Sequence, residues 1–238
     1  MPELNLLSLY PKARRNIVAR KDSQEANRAA ARRYGFEYFD GSRDQGYGGY
    51  RYDGRWVPIA RQIIDHYGLK PGDRVLDIGC AKGFLVKDLT DACPGLEVYG
   101  LDISDYALTH AHPDAAGRLL RGTADTLPFA DGAFQAVLCI NVIHNLERQR
   151  CINAIREIQR VSGGRAYVQV DAYRTPEEES IFLDWVLTAV TFGTPDFWHA
   201  LFAEARFTGD YYWTIIEADP EWTLTGGQRA AASATPEH

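Results

Sequence analysis

The chain reads as an α/β protein: a mostly parallel sheet of seven strands with helices on both faces, preceded by an N-terminal helical and loop cap. Three observations predict this. Short apolar runs rich in β-favouring residues recur from Val75 onward, segments with helical spacing separate them, and the first run, Val75-Leu76-Asp77-Ile78, breaks at Gly79 and Gly83 before a helix-prone segment. Parallel neighbours need a crossover of a dozen or more residues, which the intervening helices supply.

Asp22, with Glu25 three positions on, has the spacing of a helix start, and 23–34 is rich in helix formers. Glycines alternating with Tyr47, Tyr50 and Tyr52 then exclude regular structure over 40–56, which reads as an ordered loop or lid. Ile59, Ile63, Ile64 and Tyr67 keep helical spacing until Gly68 ends that helix. Strand 75–78 and helix 84–93 follow, then strand 97–101 ending at Asp102, a helix from the cap Ser104 to about 111, and strands 119–121 and 134–140. Next come a helix over 148–161 and a strand over 165–171. Thr175-Pro176 and Thr194-Pro195 open two more helices by capping and proline logic. The β-branched run 186–192 is expected as the sixth strand and 211–216 as the seventh. These elements divide the chain into a cap at 1–55, a catalytic-type domain at 56–223 and an alanine-rich tail at 224–238, expected to be disordered.

With 238 residues, 45% hydrophobic and 24% charged, the chain can bury a sizeable core. No apolar run approaches about eighteen residues, and the first residues lack a signal-peptide pattern, so no membrane span and a cytoplasmic address are expected. Cys80, Cys93, Cys139 and Cys151 form no C-x-x-C pair and read as reduced structural thiols, with no metal expected. A net charge of −6 argues against nucleic acid as the partner. Lys12, Arg14, Arg15, Arg20, Lys21, Arg28, Arg32 and Arg33 nevertheless crowd the N-terminus; a solvated helix face is the plainer account, an anion site the sharper one.

The strand–glycine turn–helix unit is a ligand cradle: glycine permits the sharp turn and close approach, and the new helix offers unpaired N–H groups. A phosphate loop would need a Lys-Ser/Thr pair, absent here, and the G-x-G-x-x-G spacing of a dinucleotide site is not met. Asp77-Ile78-Gly79-Cys80-Ala81-Lys82-Gly83 instead resembles motif I, D-x-G-x-G-x-G, of class I S-adenosylmethionine-dependent methyltransferases, with Ala81 in the middle glycine position. The segment Ala124-Asp125-Thr126-Leu127-Pro128-Phe129 is similar to that family's adenine-side segment, although Gln135 stands where aspartate is usual.

The resemblance implies a Rossmann-like fold, S-adenosyl-L-methionine as cofactor and S-adenosyl-L-homocysteine as product. It places Asp77, Gly79, Cys80, Ala81 and Gly83 at the methionyl end, Asp102 and Ile103 at the ribose, Ala124 and Asp125 at the adenine, and Asn141 near the methionyl group or acceptor. His144, just beyond the fourth strand, is the candidate general base, with a structural imidazole as the competing account. Tyr50, Tyr52, Arg55, Trp56, Arg20, Asp171 and Trp185 are candidate acceptor contacts, against ordinary packing for each aromatic ring. The acceptor is expected to be a small metabolite, anionic or polyhydroxylated, methylated on oxygen. A carboxylate would need only orientation; a hydroxyl would need His144. Amine methylation and a non-catalytic cofactor-binding module remain alternatives.

Overall fold

The computed structural model describes residues 3–11, 15, 17 and 24–218; Arg20 and the 224–238 tail lie outside the described residues. In chain order the elements are α1 (Gln24–Ala31), α2 (Phe36–Phe39), α3 (Val57–Tyr67), β1 (Arg74–Ile78), α4 (Phe84–Ala92), β2 (Glu97–Asp102), α5 (Asp105–Thr109), α6 (Pro113–Ala116) and β3 (Leu119–Arg121). Then come β4 (Ala136–Ile140), a 3-10 turn (Ile143–Asn145), α7 (Arg148–Ser162), β5 (Ala166–Ala172), α8 (Pro176–Trp185), α9 (Pro195–Ala205) and β6 (Asp210–Ile215).

The strands form one sheet in the order β3-β2-β1-β4-β5-β6. Every neighbouring pair is parallel, with Asp77 beside Gly100 of β2 and Leu138 of β4. Successive side chains on a strand point to opposite faces. Val75, Ala136, Leu138 and Tyr167 therefore join Ile59 and Ile63 of α3 and Leu85 and Leu89 of α4 in one core. Their alternates Leu76, Ile78, Val137, Cys139 and Val168 join Ile152 and Ile155 of α7 and Trp198 and Phe202 of α9 in the other. Local chemistry sets the helix ends. Gly68 takes the left-handed conformation (φ 57°) after α3, and the hydroxyls of Ser104, Thr175 and Thr194 accept N–H bonds from Ala107, Glu178 and Phe197.

The sheet corrects one expectation: six strands occur among the described residues rather than seven, because the stretch from Val186 to Thr191 is irregular. Its burial and β-branching are those of a strand, with Val186 8% and Ala189 3% exposed. Its amides, however, go to a turn. Val190 and Thr191 both donate to the His144 carbonyl at 2.9 and 3.0 Å, and the Thr191 hydroxyl donates to the Leu146 carbonyl at 2.7 Å. The expected seventh strand is β6, parallel to β5. The four cysteines are free thiols, and no group of three metal-ligating side chains occurs among the described residues. No helix among the described residues is long and apolar enough to cross a membrane.

Candidate functional site

A cavity of about 830 Å3 opens at the carboxyl ends of β1, β4, β5 and β6, where ligands of such sheets bind, and lies within the range of small-molecule sites. Its wall includes Asp77, Gly79, Cys80 and Ala81 from the glycine turn, and Asn141, His144, Gln169 and Asp171 from the strand ends. Tyr50, Arg55, Trp56 and Trp185 also line it, as do Arg15 and Arg43.

The turn is held in a conformation few side chains tolerate. Gly79, Ala81 and Gly83 all have positive φ (76°, 50° and 74°), so Ala81 occupies a position that favours glycine. Its amide donates to Asp102 Oδ2 at 2.8 Å, while Oδ1 accepts from the Ser104 amide at 2.8 Å. Burial raises the Asp102 pKa against these bonds. Gly79 cannot carry a Cβ, which would sit 2.1 Å from Val142 Cγ2. Gly83 caps α4, and its missing Cβ makes room for Ala115 and Leu119, a packing role rather than a ligand approach.

Asp77 is 5% exposed, and among the described residues its carboxylate has no hydrogen-bond partner. Burial, then the Asp102 charge, pushes its pKa up to about 8. Ile103, beside Asp102, leaves 47% of its surface open. Ala124 is buried, and Asp125 is held away from the cavity in a paired contact with Arg150, at 2.7 Å to Nε and 3.1 Å to Nη2. That partner holds the Asp125 carboxyl below the usual range.

On the far side of the sheet centre a relay of hydrogen bonds orders the cavity floor. The Tyr167 hydroxyl donates to Gln169 Oε1 (2.8 Å), Gln169 Nε2 to Thr214 Oγ1 (2.9 Å), and Thr214 Oγ1 to Asn141 Oδ1 (3.2 Å). Asn141 itself sits at φ 58°, tied by its amide to the Gln169 carbonyl. Gln169 and Thr214 carry no motif, and their alternating positions on strands were their only signal.

His144 is 3% exposed, and its Nδ1 accepts the Asp171 backbone N–H at 3.1 Å. The neutral ring's proton is thereby assigned to Nε2. Nδ1 is thus committed to the protein, and a backbone hydrogen bond with Asn141 also bears on the ring. Burial lowers the His144 pKa, with the Asp171 charge opposing, and burial raises that of Asp171.

The cap closes over the turn through Lys82, a residue the motif itself leaves unassigned. Its Nζ lies 2.8 and 2.7 Å from Asp40 Oδ1 and Oδ2 and 3.0 Å from the Tyr50 carbonyl. Asp40 also accepts from the Tyr50 amide (3.1 Å) and the Tyr106 hydroxyl (2.7 Å). Desolvation pushes the Asp40 carboxyl up, but these bonds outweigh it and hold it below its ordinary value. Tyr50 then stacks on Phe84 at 4.8 Å, and Ser104 Oγ donates to the Tyr34 carbonyl at 2.6 Å. Removing one partner of a buried pair strands the other. Asp40→Ala is therefore expected to cost about 3 kcal/mol and to speed amide exchange across 34–52. An unchanged melting temperature and unchanged exchange would refute the latch.

Other expected acceptor contacts divide. Trp56 lines the cavity against Tyr10 (4.7 Å), and Arg55 pairs with Asp53 beneath that tyrosine ring. Tyr52 turns away, its hydroxyl donating to buried Asp88 at 2.6 Å. Arg43 was not anticipated. Its guanidinium lies 5.6 Å from the Trp185 ring and donates to the Tyr47 carbonyl at 3.1 Å, and Arg15 approaches the same ring at 5.9 Å.

Residues 75–163 match the family described as "Methyltransferase domain". The chain is 34% identical over 113 residues to a demethylmenaquinone methyltransferase of Beutenbergia cavernae, covering 45% of each chain. It is 36% identical over 75 residues to a malonyl-[acyl-carrier protein] O-methyltransferase of Legionella pneumophila, covering 30% of this chain and 26% of that one. The chain thus spans less than half the length of these curated relatives. A solved Haloferax volcanii chain, in complex with the Trm112 methyltransferase activator, matches with a TM-score of 0.50 at 22% identity, over 77% of this chain and 76% of that one. At that identity the likeness concerns the fold.

Proposed function

The chain carries a class I S-adenosylmethionine-dependent methyltransferase domain, and from that premise we propose that it transfers the cofactor's methyl group to an oxygen of a small metabolite bound in the cavity. The turn's chemistry suits this cofactor, which supplies the electrophilic methyl when bound. An unpartnered buried carboxylate at Asp77 wants a cation, which the methionyl ammonium provides, and the turn's own lysine, Lys82, is engaged by Asp40 rather than offered to a diphosphate. Asp102 would hold the ribose hydroxyls, and Ile103 and Ala124 would flank the adenine. Asp125 would reach the adenine only on releasing Arg150.

The observation that carries the choice of oxygen is the state of His144. A neutral imidazole whose Nδ1 lone pair accepts a backbone N–H carries its proton on Nε2 and has no free lone pair for a substrate hydroxyl. A carboxylate acceptor is already ionised at neutral pH and needs only alignment and exclusion of water. In this reading His144 is a positioning residue: it joins the end of β5 to the turn after β4 and, through its carbonyl, to the 190–191 segment. Asn141, fixed by Thr214, would orient the acceptor or the methionyl group.

Incubating the purified protein with methyl-labelled cofactor and a fractionated metabolite extract tests the proposal. Base-labile label, as in a methyl ester, is expected. Transfer to nitrogen would replace the oxygen assignment, and cofactor binding with no transfer would indicate a non-catalytic module. With cofactor saturating, turnover is expected to show no inflection near pH 6.5. A rate that follows a single group of that pKa, and loses the dependence in His144→Asn, would restore His144 as the base.

A further inference from the structure

We propose that Arg15 and Arg43, backed by the Trp185 ring in the cavity wall beside Asp171, form a clamp for a carboxylate of the methyl acceptor. This rests on the acceptor-binding reading above and adds to it the residues and the charge that select the acceptor. Two guanidiniums from separate parts of the cap reach the same indole, with Cζ atoms 5.9 and 5.6 Å from the ring centre, and both line the cavity. The indole face attracts each cation and orients its planar fork.

Such an arrangement has an electrostatic cost that an anion removes. Arg15 is partly buried; burial pushes its pKa down, the Arg43 charge pushes the same way, and Asp171 and Glu217 oppose. Asp171 and Glu217 also face these cations. A monoanion adds one negative charge beside those carboxylates and a phosphate dianion adds two, so the wall favours the monoanion. Guanidinium forks pair with the two oxygens of a carboxylate, giving alignment as well as affinity. Of the basic residues expected among the acceptor contacts, Arg20 lies outside the described residues and Arg55 is paired with Asp53.

Arg15 gives the cleaner test, because Arg43 also supports the Gly46 and Tyr47 carbonyls. Protein saturated with S-adenosylhomocysteine is titrated calorimetrically with benzoate, phenylacetate and butyrate, each beside its neutral amide, and with phenyl phosphate. Carboxylates are expected to bind about tenfold or more tighter than their amides and no weaker than phenyl phosphate. Arg15→Gln should erase the carboxylate-to-amide ratio and Arg15→Lys should keep part of it, with S-adenosylhomocysteine affinity unchanged in both as the folding control. Equal binding of acids and amides, a ratio that survives Arg15→Gln, tighter binding of phenyl phosphate, or no carboxylate binding to the loaded protein would each overturn the clamp. Failure of S-adenosylhomocysteine to bind the parent protein would instead overturn the methyltransferase reading beneath it.

Discussion

Replacing Asp102 by alanine is expected to weaken S-adenosylhomocysteine binding by about a hundredfold, near 2.7 kcal/mol, and to lower the melting temperature as well. Two losses combine. A ribose hydrogen bond to a carboxylate is charge-assisted and worth about 1.5–3 kcal/mol. The same carboxylate is also the acceptor for the Ala81 and Ser104 amides at 2.8 Å each. Without it those donors lose their partner, and Ala81 keeps a positive φ that nothing then ties in place. Asp102→Asn separates the two contributions. Its one amide oxygen can still receive a backbone N–H, so much of the stability should return while affinity stays low. Calorimetric affinities equal to the parent in both variants would remove Asp102 from the ribose site.

What could be read in advance was what depends on neighbours in sequence. Val75 to Ile78 and the glycine break after them declare a buried strand and a turn. Ser104, Thr175 and Thr194 cap their helices because each hydroxyl reaches an amide three residues on. The failures are contacts between distant segments. Burial and β-branching of Val186 to Thr191 say that the segment is inside, and leave open which carbonyl its amides will meet; the His144 carbonyl took two of them. His144 lines the cavity, but the state of its ring depends on a backbone N–H from Asp171, which no local pattern reveals. Lys82, to which the motif assigns no role, is likewise fixed by a distant segment, pairing with Asp40 at 2.7 Å.

Ala81 and Asn141 share a further property. Both are non-glycine residues at positive φ on the cavity wall, and each is tied by its backbone amide, to Asp102 and to the Gln169 carbonyl. Strain of this kind persists only where surrounding bonds over-determine it. The relay from Tyr167 to Asn141 and the Asp102 brace are those bonds, so the cavity's two sides are set before any ligand arrives.

Asp77→Asn is expected to stabilise the cofactor-free protein near neutral pH while removing the pH dependence of cofactor binding. The sign follows from the raised pKa. A carboxyl that titrates near 4 when unfolded and at about 8 when folded holds its proton in the native state across that interval. The native state then binds more protons than the unfolded one, so the contribution of Asp77 to stability is full below pH about 4 and declines as pH rises to about 8. The loss is on the order of a few kcal/mol, and the asparagine variant escapes it. Burial also raises the Asp171 pKa and acts with the same sign, so the comparison of parent and variant isolates Asp77. Binding runs the other way: the ionised carboxylate is the form that pairs with a methionyl ammonium, and below pH about 8 it must first lose its proton. S-adenosylhomocysteine affinity should therefore rise with pH by up to about tenfold per unit before levelling near the free-state pKa. Thermal melts from pH 4 to 9 and titrations over the same range measure both slopes. Parallel binding curves for parent and Asp77→Asn protein would mean that the cation does not sit against this carboxylate, and parallel melts would mean that Asp77 does not hold its proton in the cofactor-free protein.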